Sequence, residues 1–213
     1  KGKNGRWSNT DYYQLGYTYY KKGEYAKAIS EFNKIIGGSD AVSQNAYYHL
    51  GESYLKSDLK TQALNAFKNA SEMSFNQKIQ EDAYVNYAKL SYEIGNPYQS
   101  VPGVITSFLD KYPSSAYKEE LNVLLIDSYI SSKNYKEALL LLEKNKTPQN
   151  KLAYQKVTFY RGLEFYSQGN YISCKKCGVK VEYTEEKQLK CVNGEFPFNN
   201  YLEWYNYQND FIN

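Results

Sequence analysis

The stretch Tyr47–Phe67, YYHLGESYLKSDLKTQALNAF, decides the fold because its large and small residues are spaced as in two packed helices. Its first half places four residues at i, i+3, i+4 and i+7, which is one face of a helix: Tyr47, Leu50, Gly51 and Tyr54. Its second half places Ala63 four residues before Phe67. Gly51 has no side chain, so it lets the second helix approach closely, at a cost of about 1 kcal/mol in helix propensity. The stretch therefore predicts a helical hairpin.

The same set of residues recurs along the chain. An upstream copy consists of Tyr12, Leu15, Gly16, Tyr19, Ala28 and Phe32. Three less regular copies follow: Tyr84, Tyr87, Ala88, Leu90 and Gly95; then Leu125, Tyr129, Tyr135, Ala138 and Leu142; then Gly162, Phe165, Gly169 and Tyr171. The close-packing positions, Gly16, Gly51, Ala88, Ile126 and Gly162, follow one another at intervals of 35, 37, 38 and 36 residues. Because one helix pair cannot bury its apolar face alone, we expect the five units to stack.

Residues 10–171 resemble tetratricopeptide repeats, with Tyr in place of Trp in W-x2-L-G-x2-Y and with the A-x3-F half intact. The resemblance implies an all-α fold, a right-handed superhelical array of about five helix pairs with the first helices on its concave face. The segment FLDKYPSSAYKEE at 108–120 is similar to the Y-P-x-S link of bacterial envelope members. This similarity favours the periplasm or envelope over the cytoplasm.

Helix ends follow from the turn residues. Residues 1–9 read as a flexible lead-in, and Asn9 or Thr10 is the expected cap of the first helix. Gly23 is expected to form the turn, and the second helix to run from Tyr25 to Ile36.

The repeat pattern stops after Tyr171. Residues 172–213 read as a β-hairpin followed by a short helix carrying Tyr201, Trp204, Tyr207 and Phe211. The C-x2-C-G sequence and the later cysteine resemble a zinc ribbon, which gives Cys174, Cys177 and Cys191 as candidate metal ligands. The fourth ligand position of a ribbon is Gly194, so water, Glu195 or a partner would complete a structural zinc site. A disulfide or inert thiols are the alternatives.

Composition narrows the function classes. The chain has 213 residues with 26 basic and 23 acidic side chains interspersed, which argues against nucleic acid as the main partner. No run reaches the roughly 18 apolar residues that a membrane span needs. One histidine, three cysteines and no recognisable catalytic arrangement predict a non-catalytic protein.

Partner binding is the predicted function, with a protein or peptide lying along the first helices. The positions expected to face this groove are Tyr13, Tyr17, Tyr20, Asn45, Tyr48, Glu52, Lys89, Tyr92, Asp127 and Tyr166. Tyrosine anchors would supply most of the binding energy. The competing interpretation of each tyrosine is a filler of the seams between units. The second functional reading is an accessory domain that organises a larger bacterial envelope or enzyme complex.

One subfamily can be tested by residue. Chaperone-adaptor repeats hold a terminal carboxylate with a Lys/Asn pair, an Asn and a Lys/Arg pair. The corresponding residues here are Tyr13 and Tyr17, then His49, then Asp82 and Asn86. None of them matches, so carboxylate capture of that kind is not expected.

Overall fold

The computed structural model describes residues 7–144 and 147–167, together with three short strands further along. The α-helices of this part are α1 (Asn9–Lys21), α2 (Tyr25–Phe32), α3 (Ala41–Lys56), α4 (Lys60–Glu72), α5 (Gln77–Ile94), α6 (Val101–Lys111), α7 (Lys118–Ser131), α8 (Tyr135–Lys144) and α9 (Lys151–Ser167). A 3-10 turn, Pro148–Asn150, precedes α9. The strands are β1 (Val181–Tyr183), β2 (Leu189–Cys191) and β3 (Gly194–Glu195).

The chain divides into two compact units, Lys1–Ser128 and Tyr129–Asn213. In the first unit, α1 pairs with α2, α3 with α4 and α5 with α6. Helix α1 also contacts α3, and α3 contacts α5, so the first helices of successive pairs stand side by side. The predicted helical repeat array is therefore confirmed, while its superhelical course and handedness stay predictions.

The first two hairpins close through a glycine set against a phenylalanine. A Cβ atom placed on Gly16 would lie 2.8 Å from Cε1 of Phe32, and one placed on Gly51 would lie 2.8 Å from Cε1 of Phe67. Both rings are fully buried. The predicted close-packing role of these glycines is confirmed. Gly162, the aligned position of the fifth unit, is exposed, and no described atom lies within 4 Å of a Cβ placed there.

Two helix ends differ from the prediction. The N-cap of α1 is Ser8 rather than Asn9 or Thr10: its hydroxyl accepts from the Asp11 N–H, and the Asp11 carboxylate accepts from the Ser8 N–H. Helix α2 ends at Phe32 rather than Ile36. The chain there tightens into turns, in which Ile35 N–H donates to Phe32 O at 2.9 Å. These turns still bury the Ile35 side chain.

The turn glycines behave as expected. Gly23 between α1 and α2 has φ +76°, and Gly95 between α5 and α6 has φ +79°. Side chains rarely tolerate this left-handed region, which explains why glycine stands at these two turns.

A buried glutamine connects the second helix pair to the third through hydrogen bonds. Gln44 on α3 has no exposed surface, and its Nε2 donates to Met73 O at 2.7 Å. Its Oε1 accepts from the Asn76 N–H, also at 2.7 Å. One side chain of α3 thus pairs partly buried backbone groups of the segment between α4 and α5.

In the second unit α8 packs on α9, with the rings of Tyr135 and Tyr160 stacked at 5.2 Å between centroids. The three strands pair antiparallel in the order β1-β2-β3, and Cys191 lies opposite both Val181 and Gly194. Cys174 and Cys177 lie outside the described residues, as does the helix predicted around Trp204. The zinc ribbon therefore stays a prediction.

Candidate partner-binding face

An aromatic face forms where α1 meets α3. It consists of Tyr13, Tyr17 and Tyr20 on α1 with Tyr48, His49 and Glu52 on α3. The α1 members follow one another on one side of the helix, with ring centroids 6.0 Å apart for Tyr13 and Tyr17 and 6.1 Å apart for Tyr17 and Tyr20. The spacing of three and four residues places them on one surface, as the sequence predicts.

His49 is the centre of this face. Its ring centroid lies 5.0 Å from that of Tyr17, 5.3 Å from that of Tyr20 and 6.1 Å from that of Tyr13. Tyr48 meets it edge-on at 5.3 Å, and the buried Phe32 lies beneath it at 6.2 Å. Contacts of this geometry each contribute about 0.5–1.5 kcal/mol beyond area burial. The rings are therefore held in place before any partner arrives.

A carboxylate lies beside these rings. His49 Nδ1 donates to Glu52 Oε2 at 2.7 Å, across one turn of α3. The Glu52 side chain is 27% exposed. Since Nδ1 must carry the hydrogen of this bond, the bond fixes the orientation of the imidazole and leaves a carboxylate at the surface of the face.

The carboxylate of Glu52 contributes to the raised pKa values of the neighbouring tyrosines. Burial, with Tyr17 and the Glu52 charge adding to it, raises the pKa of Tyr13 to about 12. Burial and Glu52 likewise raise the pKa of Tyr20 to about 12. The pKa of Tyr48 is also raised, chiefly by burial and then by Glu52 and Asp82. All three hydroxyls therefore stay protonated at neutral pH and can donate hydrogen bonds.

Solvent reaches the face mainly at Tyr17, which is 37% exposed. Tyr13, Tyr20 and Tyr48 are half-buried. Their burial fits the competing role of filling the seam between α1 and α3, and their groove role stays a prediction.

A second group of predicted residues links α5 to α7. Lys89 Nζ is 2.8 Å from Glu120 Oε1 and lies over the Tyr117 ring at 5.4 Å from its centroid. The Tyr92 hydroxyl donates to the Asp127 carboxylate. These side chains already form an ion pair and a hydrogen bond with one another. This group therefore has its charged atoms engaged within the protein.

Two predicted positions join neither group. The Asn45 amide donates to Ala41 O of its own helix at 2.7 Å, which ties it to the start of α3. Tyr166 lies in α9 in the second unit, and its side chain is outside the described residues.

Sequence reasoning missed His49 as a member of the face. The signal was present, because His49 precedes Glu52 by one helical turn and follows Tyr48 directly. The His49 side chain extends toward α1, and its ring contacts the rings of Tyr13, Tyr17 and Tyr20.

Comparison with known proteins supports the repeat assignment. The profile of the tetratricopeptide repeat family matches residues 12–37 and 44–77, which correspond to the α1/α2 and α3/α4 hairpins. The match covers less than half of the chain and shows that these two hairpins are similar to tetratricopeptide repeats.

Similar solved structures include TPR-like repeats of a kinesin light chain-type protein from Podosopora anserina. A point mutant of that protein has a TM-score of 0.46 at 10% identity, and the unsubstituted form has 0.44 at 11%, each covering 75% of this chain and 86% of the other. A point mutant of MamA has a TM-score of 0.42 at 15% identity, covering 76% of this chain and 84% of the other. No curated protein matches the chain.

The described part of the chain contains neither a membrane-spanning helix nor a metal-binding cluster. None of its helices has the length and apolar character needed to span a membrane. In the same residues, no three His, Cys, Asp or Glu side chains are grouped so as to hold a metal ion.

Proposed function

We propose that this protein is a non-catalytic scaffold that binds a segment of a partner protein on the aromatic face. The observation that carries the proposal is the cluster of four tyrosines and one histidine around a carboxylate, open to solvent at Tyr17. Aromatic side chains dominate binding energy in protein interfaces, and a partly exposed ring with a buried base is a suitable anchor point.

Preorganisation supports this role. The rings of Tyr17 and Tyr20 are stacked on each other and contact the His49 ring at tilted angles, so a partner would not have to order them on binding. Immobilising a flexible side chain costs about 0.5–1.5 kcal/mol, and this cost is already met in the free protein. The protonated hydroxyl of Tyr13 adds a hydrogen-bond donor that could meet a backbone carbonyl of an extended or helical segment.

The test uses peptides selected from a random library displayed on phage against the full chain. The affinity of the tightest selected peptide is then measured by calorimetry for the wild type, Tyr17→Ala and Tyr98→Ala. Tyr98 is the matched control, because it is an exposed tyrosine at 58% whose hydroxyl bonds Asn65 outside the aromatic face. We expect Tyr17→Ala to weaken binding at least about tenfold and Tyr98→Ala to leave it unchanged.

The alternative is an accessory domain that organises its neighbours in a larger bacterial envelope or enzyme complex. It predicts that no peptide is selected, or that selected peptides bind Tyr17→Ala as well as the wild type. Either result would contradict the groove-binding proposal.

A further inference from the structure

The aromatic face carries negative charge at its centre. Glu52 receives its hydrogen bond from His49, and a neutral imidazole with its proton on Nδ1 is sufficient to make that bond. In the part of the chain that the structure describes, no lysine or arginine forms an ion pair with Glu52. The carboxylate charge is therefore available to a partner.

A second carboxylate reinforces the first. Asp82 on α5 has a raised pKa, caused chiefly by burial, with Glu81 and Glu52 adding to it and Lys78 opposing it. Glu52 thus acts electrostatically both on Tyr20 of α1 and on Asp82 of α5. Lys78 already supplies a positive charge to Asp82, so the charge that a partner could meet is that of Glu52.

Lysines of this chain already bind tyrosine rings, but elsewhere. Lys34 Nζ lies 5.0 Å from the centroid of Tyr12, and Lys27 Nζ lies 5.4 Å from that of Tyr19. Among the described residues no cation lies over a ring of the aromatic face. Lys89, which the sequence placed in the same groove, is held by Glu120.

Tyrosine faces beside a carboxylate are the chemistry that recognises a planar cation. A guanidinium group stacks on an aromatic ring while its N–H groups form charge-assisted hydrogen bonds to a carboxylate. Lysine carries the same charge but lacks the planar guanidinium group, which can donate two parallel hydrogen bonds to a carboxylate. A neutral side chain would leave the carboxylate without a charged partner.

We infer that the bound segment is a basic peptide whose arginine side chain stacks on Tyr17 and Tyr20 and pairs with Glu52. This inference rests on the proposed function, because it names the chemistry of the partner at the same face.

The experiment examines the peptides selected by the full chain for an enriched arginine. One such peptide is synthesised, together with versions carrying lysine or citrulline in place of that arginine. Each is titrated into the wild type, Glu52→Gln and Glu93→Gln. Glutamine at 52 still accepts the His49 hydrogen bond, so the fold of the face is retained. Glu93→Gln is the matched control, since it removes the same charge from an exposed pair with Lys60.

We expect arginine to be enriched at one peptide position, and citrulline there to weaken binding about tenfold, as loss of one charge-assisted bond implies. Glu52→Gln should weaken the arginine peptide by a similar factor and remove most of the difference between arginine and citrulline. Glu93→Gln should change neither. Lysine should bind more weakly than arginine.

Three results would overturn the inference. Peptides that lose affinity for Tyr17→Ala but show no basic enrichment would refute the arginine site and leave the proposed function standing. Equal binding of the arginine peptide to Glu52→Gln and to the wild type would do the same. Failure to select any peptide, or selection of peptides indifferent to Tyr17→Ala, would refute both together.

Discussion

Gly16 and Phe32 lie so close that a Cβ atom on the glycine would stand 2.8 Å from Cε1 and 2.9 Å from Cδ1 of the ring. The ring has no exposed surface, so it has nowhere to move. The distance between α1 and α2 is thus set by the absence of one side chain. The same contact between Gly51 and Phe67 sets the distance between α3 and α4.

Replacing Gly16 by alanine should destabilise the protein. Overpacking against the buried ring costs about 1–3 kcal/mol, and the gain in helix propensity returns about 1 kcal/mol. The upper end of this cost applies to a methyl group 2.8 Å from a fully buried ring, so we expect a net loss of about 2 kcal/mol in the free energy of unfolding, measured by urea denaturation.

The control is Gly162→Ala, which makes the same chemical change at an exposed helical position with no described atom within 4 Å of the added methyl. It should raise the unfolding free energy by up to about 1 kcal/mol. A Gly16→Ala protein as stable as the wild type would show that the hairpin tolerates a wider spacing.

Replacing Gln44 by leucine should also destabilise the protein. The change removes the partners of Met73 O and the Asn76 N–H, in two hydrogen bonds that are partly buried. A hydrogen bond contributes about 0.5–1.5 kcal/mol, so we expect the loss of two to cost about 1–3 kcal/mol by urea denaturation.

Gln62→Leu is its matched control. Gln62 is an exposed residue of α4, and its replacement should change stability by less than about 0.5 kcal/mol. Similar losses for the two variants would mean that the Gln44 hydrogen bonds do not stabilise the junction of α4 and α5.

The fold was largely predictable from the sequence because its determinants are steric and periodic. The repeated spacing of glycine and phenylalanine, as in Gly16 with Phe32 and Gly51 with Phe67, predicts the close approach of the paired helices directly. Gln44 could not be recognised, because it lies between Ser43 and Asn45, and a polar run has the same sequence pattern whether its members point to solvent or inward. Its role depends on where the α4–α5 connection passes, which only the packed structure gives.

The candidate site was predicted less completely. Helical spacing identified Tyr13, Tyr17 and Tyr20, since three- and four-residue steps fix one surface. His49 was missed because its role comes from contacts across two helices. Lys89 and Tyr92 were placed correctly on α5, but their ion pair and hydrogen bond to α7 could not be read from a single helix.

Alkaline pH should destabilise the aromatic face. The pKa values of Tyr13 and Tyr20 are raised to about 12, above the ordinary value of 10.0 expected in the unfolded chain. Between these values the unfolded chain loses its phenolic protons first, so the folded state binds more protons and stability falls as pH rises from about 10 to about 12.

The measurement is the free energy of unfolding as a function of pH, compared with Tyr13→Phe/Tyr20→Phe. This double variant should lose part of the decline across that window. Tyr98→Phe, which alters an exposed tyrosine outside the face, should retain the wild-type profile. If the free energy of unfolding of the double variant fell with pH as steeply as that of the wild type, the buried environment assigned to the Tyr13 and Tyr20 hydroxyls would be contradicted.

The cysteine-rich segment gives a separate prediction. If Cys174, Cys177 and Cys191 hold a structural zinc ion, protein purified under reducing conditions should contain about one equivalent of zinc by elemental mass spectrometry. Cys177→Ser should lose it. A zinc content far below one equivalent in the reduced wild-type protein would instead favour inert thiols or a disulfide.

The most direct test of partner binding uses the single histidine of the chain, His49, as a reporter at the centre of the aromatic face. The ring C–H resonances of His49 are followed by NMR while a selected peptide is titrated into the full chain. We predict that these resonances shift in step with saturation and that Tyr17→Ala requires a higher peptide concentration for the same shift. A peptide that saturates the protein while the His49 resonances stay in place would contradict binding at this face.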